Sequence, residues 1–329
     1  MRSLFFILWL FVFSITPIVQ AQTITDVAKT AKFQKINFEF HSAFLMNLHH
    51  FLYNISTSTG QLEKTQWLKE PSASEMDVLR EALVFYQENY AKKDFVFDTD
   101  MANIKRALSV NDNNNDASTL ALPVKLKNIL NRVTPIYTRC IWSKQDQSNR
   151  QWIHDVAALN NTYGAEIQEK LEKILDLPYP RTPIRVDIVV DTGTFEGAYT
   201  DEQIVLPSGR ADYNGLASLE MLYHEATHTG PIDKVSAQIE SDLKATGRSS
   251  ESMLWHAVHF YTVGSVVQDI LKQRGNLDYQ PYANARIFKP GSRWSIFNAP
   301  LELSWKPYMQ GKMSMSEAAK QMVDQLPTK

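Results

Sequence analysis

LEMLYHEATHTG, residues 219–230, sets His224 and His228 four positions apart, with Glu225 directly after the first. Residues i and i+4 of a helix lie on one face, so the two imidazoles stack over adjacent turns. Two imidazoles so placed can ligate one Zn²⁺, leaving positions for a third protein ligand and for water. Glu225 is turned by roughly 100° from His224. That makes it a poor third ligand, yet near enough to take a proton from water activated by the metal. Leu219, Met221, Leu222 and Ala226 make the helix largely apolar. Polar groups in such a helix cost free energy unless they find partners, and a metal is the simplest one.

Upstream of this helix, IRVDIVVD (184–191) alternates and is β-branched, which predicts a strand. GAYT (197–200) and EQIVLPS (202–208) read as two more short strands around the turn at Thr200-Asp201. The histidine helix follows at once and stops at Gly230-Pro231. Downstream, a second helix is predicted from Ser250 to Arg274, with serines at its start and Lys272 and Arg274 at its end. A last short helix covers 314–326. Further back, residues 26–176 read mostly as helix. FHSAFLMNLHHFLYNI (40–55) is apolar nearly all round, which predicts a buried helix carrying His41, His49 and His50. That histidine group makes the N-terminal helices a possible wall of the cleft. The order helices, small sheet, helices is an α+β arrangement, mainly helical. It divides into a helical N-terminal region, 22–180, and a region 181–329 with the sheet, the histidine helix and the C-terminal helices. No linker separates the two, which favours one compact unit.

Composition bounds the rest. The 329 residues are 44% hydrophobic and 21% charged, with Lys+Arg 34 against Asp+Glu 36. That suits a folded globular chain and argues against nucleic acid or an acidic membrane surface as partner, since both need a net basic face. Residues 1–21 read as a secretory signal peptide: Arg2, an unbroken apolar run from Leu4 to Phe13, and the small-residue pattern Val19-Gln20-Ala21. Thr16-Pro17 interrupts the run short of the about 20 residues a membrane span needs. After cleavage no membrane span is expected. The single cysteine, Cys140, allows no intrachain disulfide, which fits export to a bacterial periplasm or exterior. There is no Gly-rich phosphate loop, and no Gly-x-Ser-x-Gly elbow.

The histidine helix with a small sheet before it resembles the zincin metallopeptidases over roughly residues 184–271. In that superfamily the metal helix follows a sheet whose edge strand lies along the substrate cleft. The resemblance implies that His224 and His228 are zinc ligands and Glu225 the catalytic base. It also implies a strand at Gly197-Ala198-Tyr199 where an extended peptide would pair. The chain departs from the metzincin continuation, since Pro231 and Lys234 stand where that pattern needs Gly and His. Gly247 and Arg248 stand near the place of the gluzincin glutamate. A third ligand must therefore come from the second helix. His256, within MLWHAVHFY, is the preferred choice and Glu251 the alternative. His259 could instead stabilise an oxyanion, and Tyr261 and Tyr199 could donate in the same way. The whole pattern is also similar to a group of exported bacterial proteins that pair a helical N-terminal half with an HExxH helix, a likeness that implies no substrate. The expectation is a secreted hydrolase with one Zn²⁺ per chain, acting on a peptide or other amide. The alternative is a zinc-stabilised binding protein whose fourth ligand, His259 or Glu251, closes the metal site.

Overall fold

The computed structural model describes residues 35–57, 62–110, 112, 115–193 and 197–327. The expected signal peptide lies outside them. Four strands form one sheet in the order β1-β2-β4-β3: β1 Phe38–His41, β2 Ile184–Val189, β3 Tyr199–Thr200 and β4 Ile204–Pro207. β1 and β4 run parallel to β2, and β3 runs antiparallel along β4 as an edge strand. The described helices are α1 Phe44–Ser56, α2 Ala73–Asn89, α3 Thr99–Ser109, α4 Val124–Tyr137, α5 Ser143–Leu175, α6 Leu216–Thr227, α7 Asp233–Ala245, α8 Leu254–Gln273 and α9 Met315–Asp324, besides shorter turns. The fold is thus mainly helical α+β with one small sheet. Among the described residues no helix is long and apolar enough to cross a membrane.

β2 sorts its side chains by the two-residue period of a strand. Ile184, Val186 and Ile188 join Ile204 and Leu206 in a core shared with α5, α6 and α8. Val189, Val205 and Tyr199 face the other way, into a core shared with α1 to α4. A mostly parallel sheet covered on both faces follows the usual rule for such sheets. On the α1 side, Arg185 bridges the buried Asp187 and Asp112, its Nη2 donating to Asp187 Oδ1 at 2.7 Å.

The helix expected from residue 40 starts four residues later. Phe38 and Phe40 alternate with Glu39 and His41, a strand pattern that pairs in register with 184–187. His41 therefore sits on β1, where Nδ1 meets Asp112 Oδ2 at 2.5 Å, and not on the first helix. β1 and β2 come from either side of residue 180 yet share a ladder, and Lys35–Lys329 makes one compact unit.

Candidate metal centre

α6 starts at Gly215, whose φ of 59° suits glycine, and every residue from Ser218 to Thr227 is buried. It packs against α8 and against β3 and β4. His224 projects from the last turn of α6 and His228 caps its end. His256 and His259 come from the first turns of α8, three apart and so on one face. The four rings converge: one ligand atom from each lies within 4.8 Å of all the others. His224 Nε2 and His256 Nε2 are 3.3 Å apart. Two nitrogens about 2.0–2.1 Å from one tetrahedral metal stand at about that separation.

Burial settles the protonation of these rings. It holds His224 and His259 well below the ordinary histidine range, His228 at about 4 and His256 at about 3. The neighbouring imidazoles add to the effect at His224, His256 and His259. At neutral pH all four are uncharged, the state in which imidazole offers a lone pair. His224 Nδ1 is buried with no hydrogen-bond partner, and of the two buried nitrogens of His259 the His224 backbone can satisfy at most one. Each such atom costs about 1–3 kcal/mol left unsatisfied. The donor set and its orphaned nitrogens fit a bound metal ion.

Glu225 is 3% exposed and turns from the histidines toward the sheet edge. Thr200 on β3 shares its hydroxyl proton between Glu225 Oε2 at 2.7 Å and Glu225 O at 3.0 Å. An aromatic wall closes the other side. Phe260 stacks on His224 at 3.9 Å between ring centroids, and Trp294 stands edge-on to His256 at 5.7 Å. Tyr282 stacks on Phe260 at 6.0 Å and meets Tyr213 at 5.4 Å.

A buried carboxyl fixes that wall to α6. Glu220, one turn before His224, accepts the Tyr282 backbone N–H at 3.0 Å and the Tyr279 hydroxyl. Burial pushes its carboxyl up to about 7. Gly264 leaves the room this requires: a Cβ there would lie 2.8 Å from Pro281 Cβ and 3.0 Å from Glu220 Oε1.

Several expected site residues lie elsewhere. Tyr199 is the neighbour of Thr200 on a strand, so its ring points through the opposite face, away from Glu225. There its hydroxyl meets His50 Nε2 at 2.7 Å. His50 Nδ1 lies 2.9 Å from Met46 O, and burial lowers this histidine to about 3. A carbonyl only accepts, so Nδ1 carries the proton and Tyr199 donates to Nε2. His49 and His50 thus belong to the core behind the sheet, not to a wall of the cleft. Tyr261 is two residues beyond His259, on the far side of α8, and donates to Glu302 Oε1 at 2.7 Å. Its hydroxyl looks into a separate cavity of about 770 Å³ with Lys272 and Lys306. Glu251 ends a short turn before α8, outside the converging group. His259, expected either at an oxyanion or as the fourth ligand of a closed site, stands among the four candidate ligands.

Thr200, Phe260, Tyr282 and Glu220 were not singled out from sequence. Phe260 is four residues after His256, a spacing that already put it on the histidine face. Thr200 follows from alternation once Tyr199 is seen to point inward.

No protein-family model, curated protein or solved structure matches this chain.

Proposed function

We propose that the protein is an exported, zinc-dependent hydrolase that cleaves a peptide or related amide. His224, His228 and His256 hold the metal and Glu225 is the general base. The observation that carries this reading is the 3.3 Å approach of His224 Nε2 and His256 Nε2 from two different helices, with neutral imidazoles and an anchored glutamate beside them. A bound zinc ion would supply Lewis acidity, polarising an amide carbonyl and acidifying water. Glu225 takes the proton of the attacking water and passes it to the leaving amine. Thr200 keeps the carboxylate from swinging away. Phe260, Trp294 and Tyr282 limit water around the centre and offer apolar surface to a side chain of the substrate. The resemblance to zincin metallopeptidases agrees with these roles, and the leader-like residues 1–21 support export.

Elemental analysis of protein purified without chelators tests the metal, with about one zinc per chain expected. Glu225→Gln should keep that zinc and abolish cleavage of a pool of quenched fluorescent peptides. Retained cleavage, or loss of the metal, would contradict the role given to Glu225.

A second reading has one observation in its favour. His259 stands in the cluster, and a fourth permanent ligand would make a closed structural site in a binding protein without turnover.

A further inference from the structure

His259 is the most anomalous group in the described structure. It is 0% exposed, both ring nitrogens are buried, and the His224 backbone can satisfy at most one of them. A histidine that serves only to pack normally gives one nitrogen to a carbonyl or hydroxyl, because a buried imidazole must donate from one and accept at the other. His259 has the His224 backbone for one nitrogen at most, which leaves the other with nothing. Its ring lies face to face with His224 at 4.0 Å and edge-on to His228 at 4.4 Å. A leucine or phenylalanine at 259 would fill such an apolar position with no orphaned nitrogens. The chemistry that repays an imidazole there is metal ligation, and His259 has a ligand atom within 4.8 Å of those of His224, His228 and His256.

The way in differs among the four. His228 and His256 are partly exposed, whereas His224 and His259 are buried behind them. A ligand arriving from solvent meets the His228 and His256 side first. His259 occupies the rear of the centre, packed along His224.

We propose that His259 is a displaceable fourth ligand, which closes the metal centre at rest and gives up its place when a metal-chelating group of the substrate enters. This regulates the site assigned above and rests on that assignment for its catalytic meaning, but not for its coordination chemistry. A resting site of four nitrogens excludes water, so the centre stays inert until a ligand able to compete with imidazole arrives.

Cobalt(II) titrated into the metal-free full chain reads this directly, through the visible absorption of the bound ion, with acetohydroxamate as the competing chelator. His259→Leu and His259→Phe serve as paired variants, so that poor packing of one leaves the other to read; circular dichroism checks that each folds. The wild type should bind cobalt about tenfold or more tightly than either variant. Its spectrum should need at least about tenfold more acetohydroxamate for half-conversion than theirs. Equal cobalt affinity and equal acetohydroxamate response would show an open three-histidine site, overturning the inference and leaving the hydrolase reading intact. A wild-type spectrum that never responds would also overturn it, in favour of a permanently closed site. Failure of the wild type to bind cobalt or zinc at all would remove both this inference and the proposed function.

Discussion

Thr200 and Glu225 are joined across the gap between the edge strand and the histidine helix by one hydroxyl that meets both the carboxylate and the carbonyl of the same residue. The strand is two residues long, so this bond is the point at which the sheet edge and the candidate base are held in one geometry.

Thr200→Val keeps the shape of the side chain and removes the proton it shares. Hydrogen bonds to charged groups contribute about 1.5–3 kcal/mol. The variant should therefore unfold in denaturant with about that much less stability, and Thr200→Ser should recover most of it. Peptide cleavage should fall by roughly tenfold to a hundredfold with zinc content unchanged. A valine variant as stable and active as wild type would show that the bond positions nothing.

Tyr199→Phe probes the opposite face. It removes the donor to His50 Nε2 and leaves a buried acceptor unsatisfied, at a cost of about 1–3 kcal/mol. Zinc stoichiometry and any cleavage should be unaffected, because the ring lies behind the sheet. A selective loss of turnover at full stability would return Tyr199 to the active site.

Glu220 gives a pH dependence of known sign. Its folded-state pKa of about 7 lies above the ordinary carboxylate value of 4.5 because burial disfavours the charge. The folded chain therefore holds this proton where the unfolded chain has lost it. The stabilisation is complete below pH 4.5, declines from there as pH rises, and is gone by the time pH passes 7. The integrated loss is about 3 kcal/mol. Glu220→Gln keeps one oxygen to accept the Tyr282 N–H, turns an amide N–H toward the Tyr279 hydroxyl oxygen, and cannot ionise. Against wild type it should be close to neutral at pH 5 and more stable at pH 8, measured by urea unfolding at both. Parallel behaviour of the two proteins would mean that Glu220 is not buried as a neutral acid.

Arg185→Met strands Asp187, which is 0% exposed, without its guanidinium partner. Removing one member of a buried ion pair costs about 3–5 kcal/mol. A drop below 1 kcal/mol in thermal or chemical unfolding would show water reaching Asp187 from the α1 side.

How much of this was legible in the sequence varies with the range of the interaction. His224, Glu225 and His228 follow from helical geometry inside twelve residues, and His256 from the apolar run around it. His259 stayed divided between an oxyanion role and a fourth ligand, because spacing puts it on the His256 face without saying how far the rings approach. β1 escaped notice because its partner in the ladder is far along the chain, and its four residues run straight into the apolar stretch of α1. A strand of two residues has no alternation to read, so nothing local said that Thr200 and not Tyr199 would face the histidine helix. The main-chain register of β3 on β4 makes that choice.

The pairing of Phe38 with Ile184 and of Val186 with Ile204 has a consequence in time. The central strand separates two neighbours, one near the beginning of the folded unit and one well past its middle. α1 to α4 can gather a core early from contacts close in sequence, but the sheet waits for distant segments to meet. Closing so long a loop is entropically slow, and non-local strand pairing is the part of a fold that forms late. The histidine helix emerges only after β4, so the histidines assemble against a sheet that has itself just been completed. Order of synthesis thus lets the four histidines converge only once the strands they pack against are already in place.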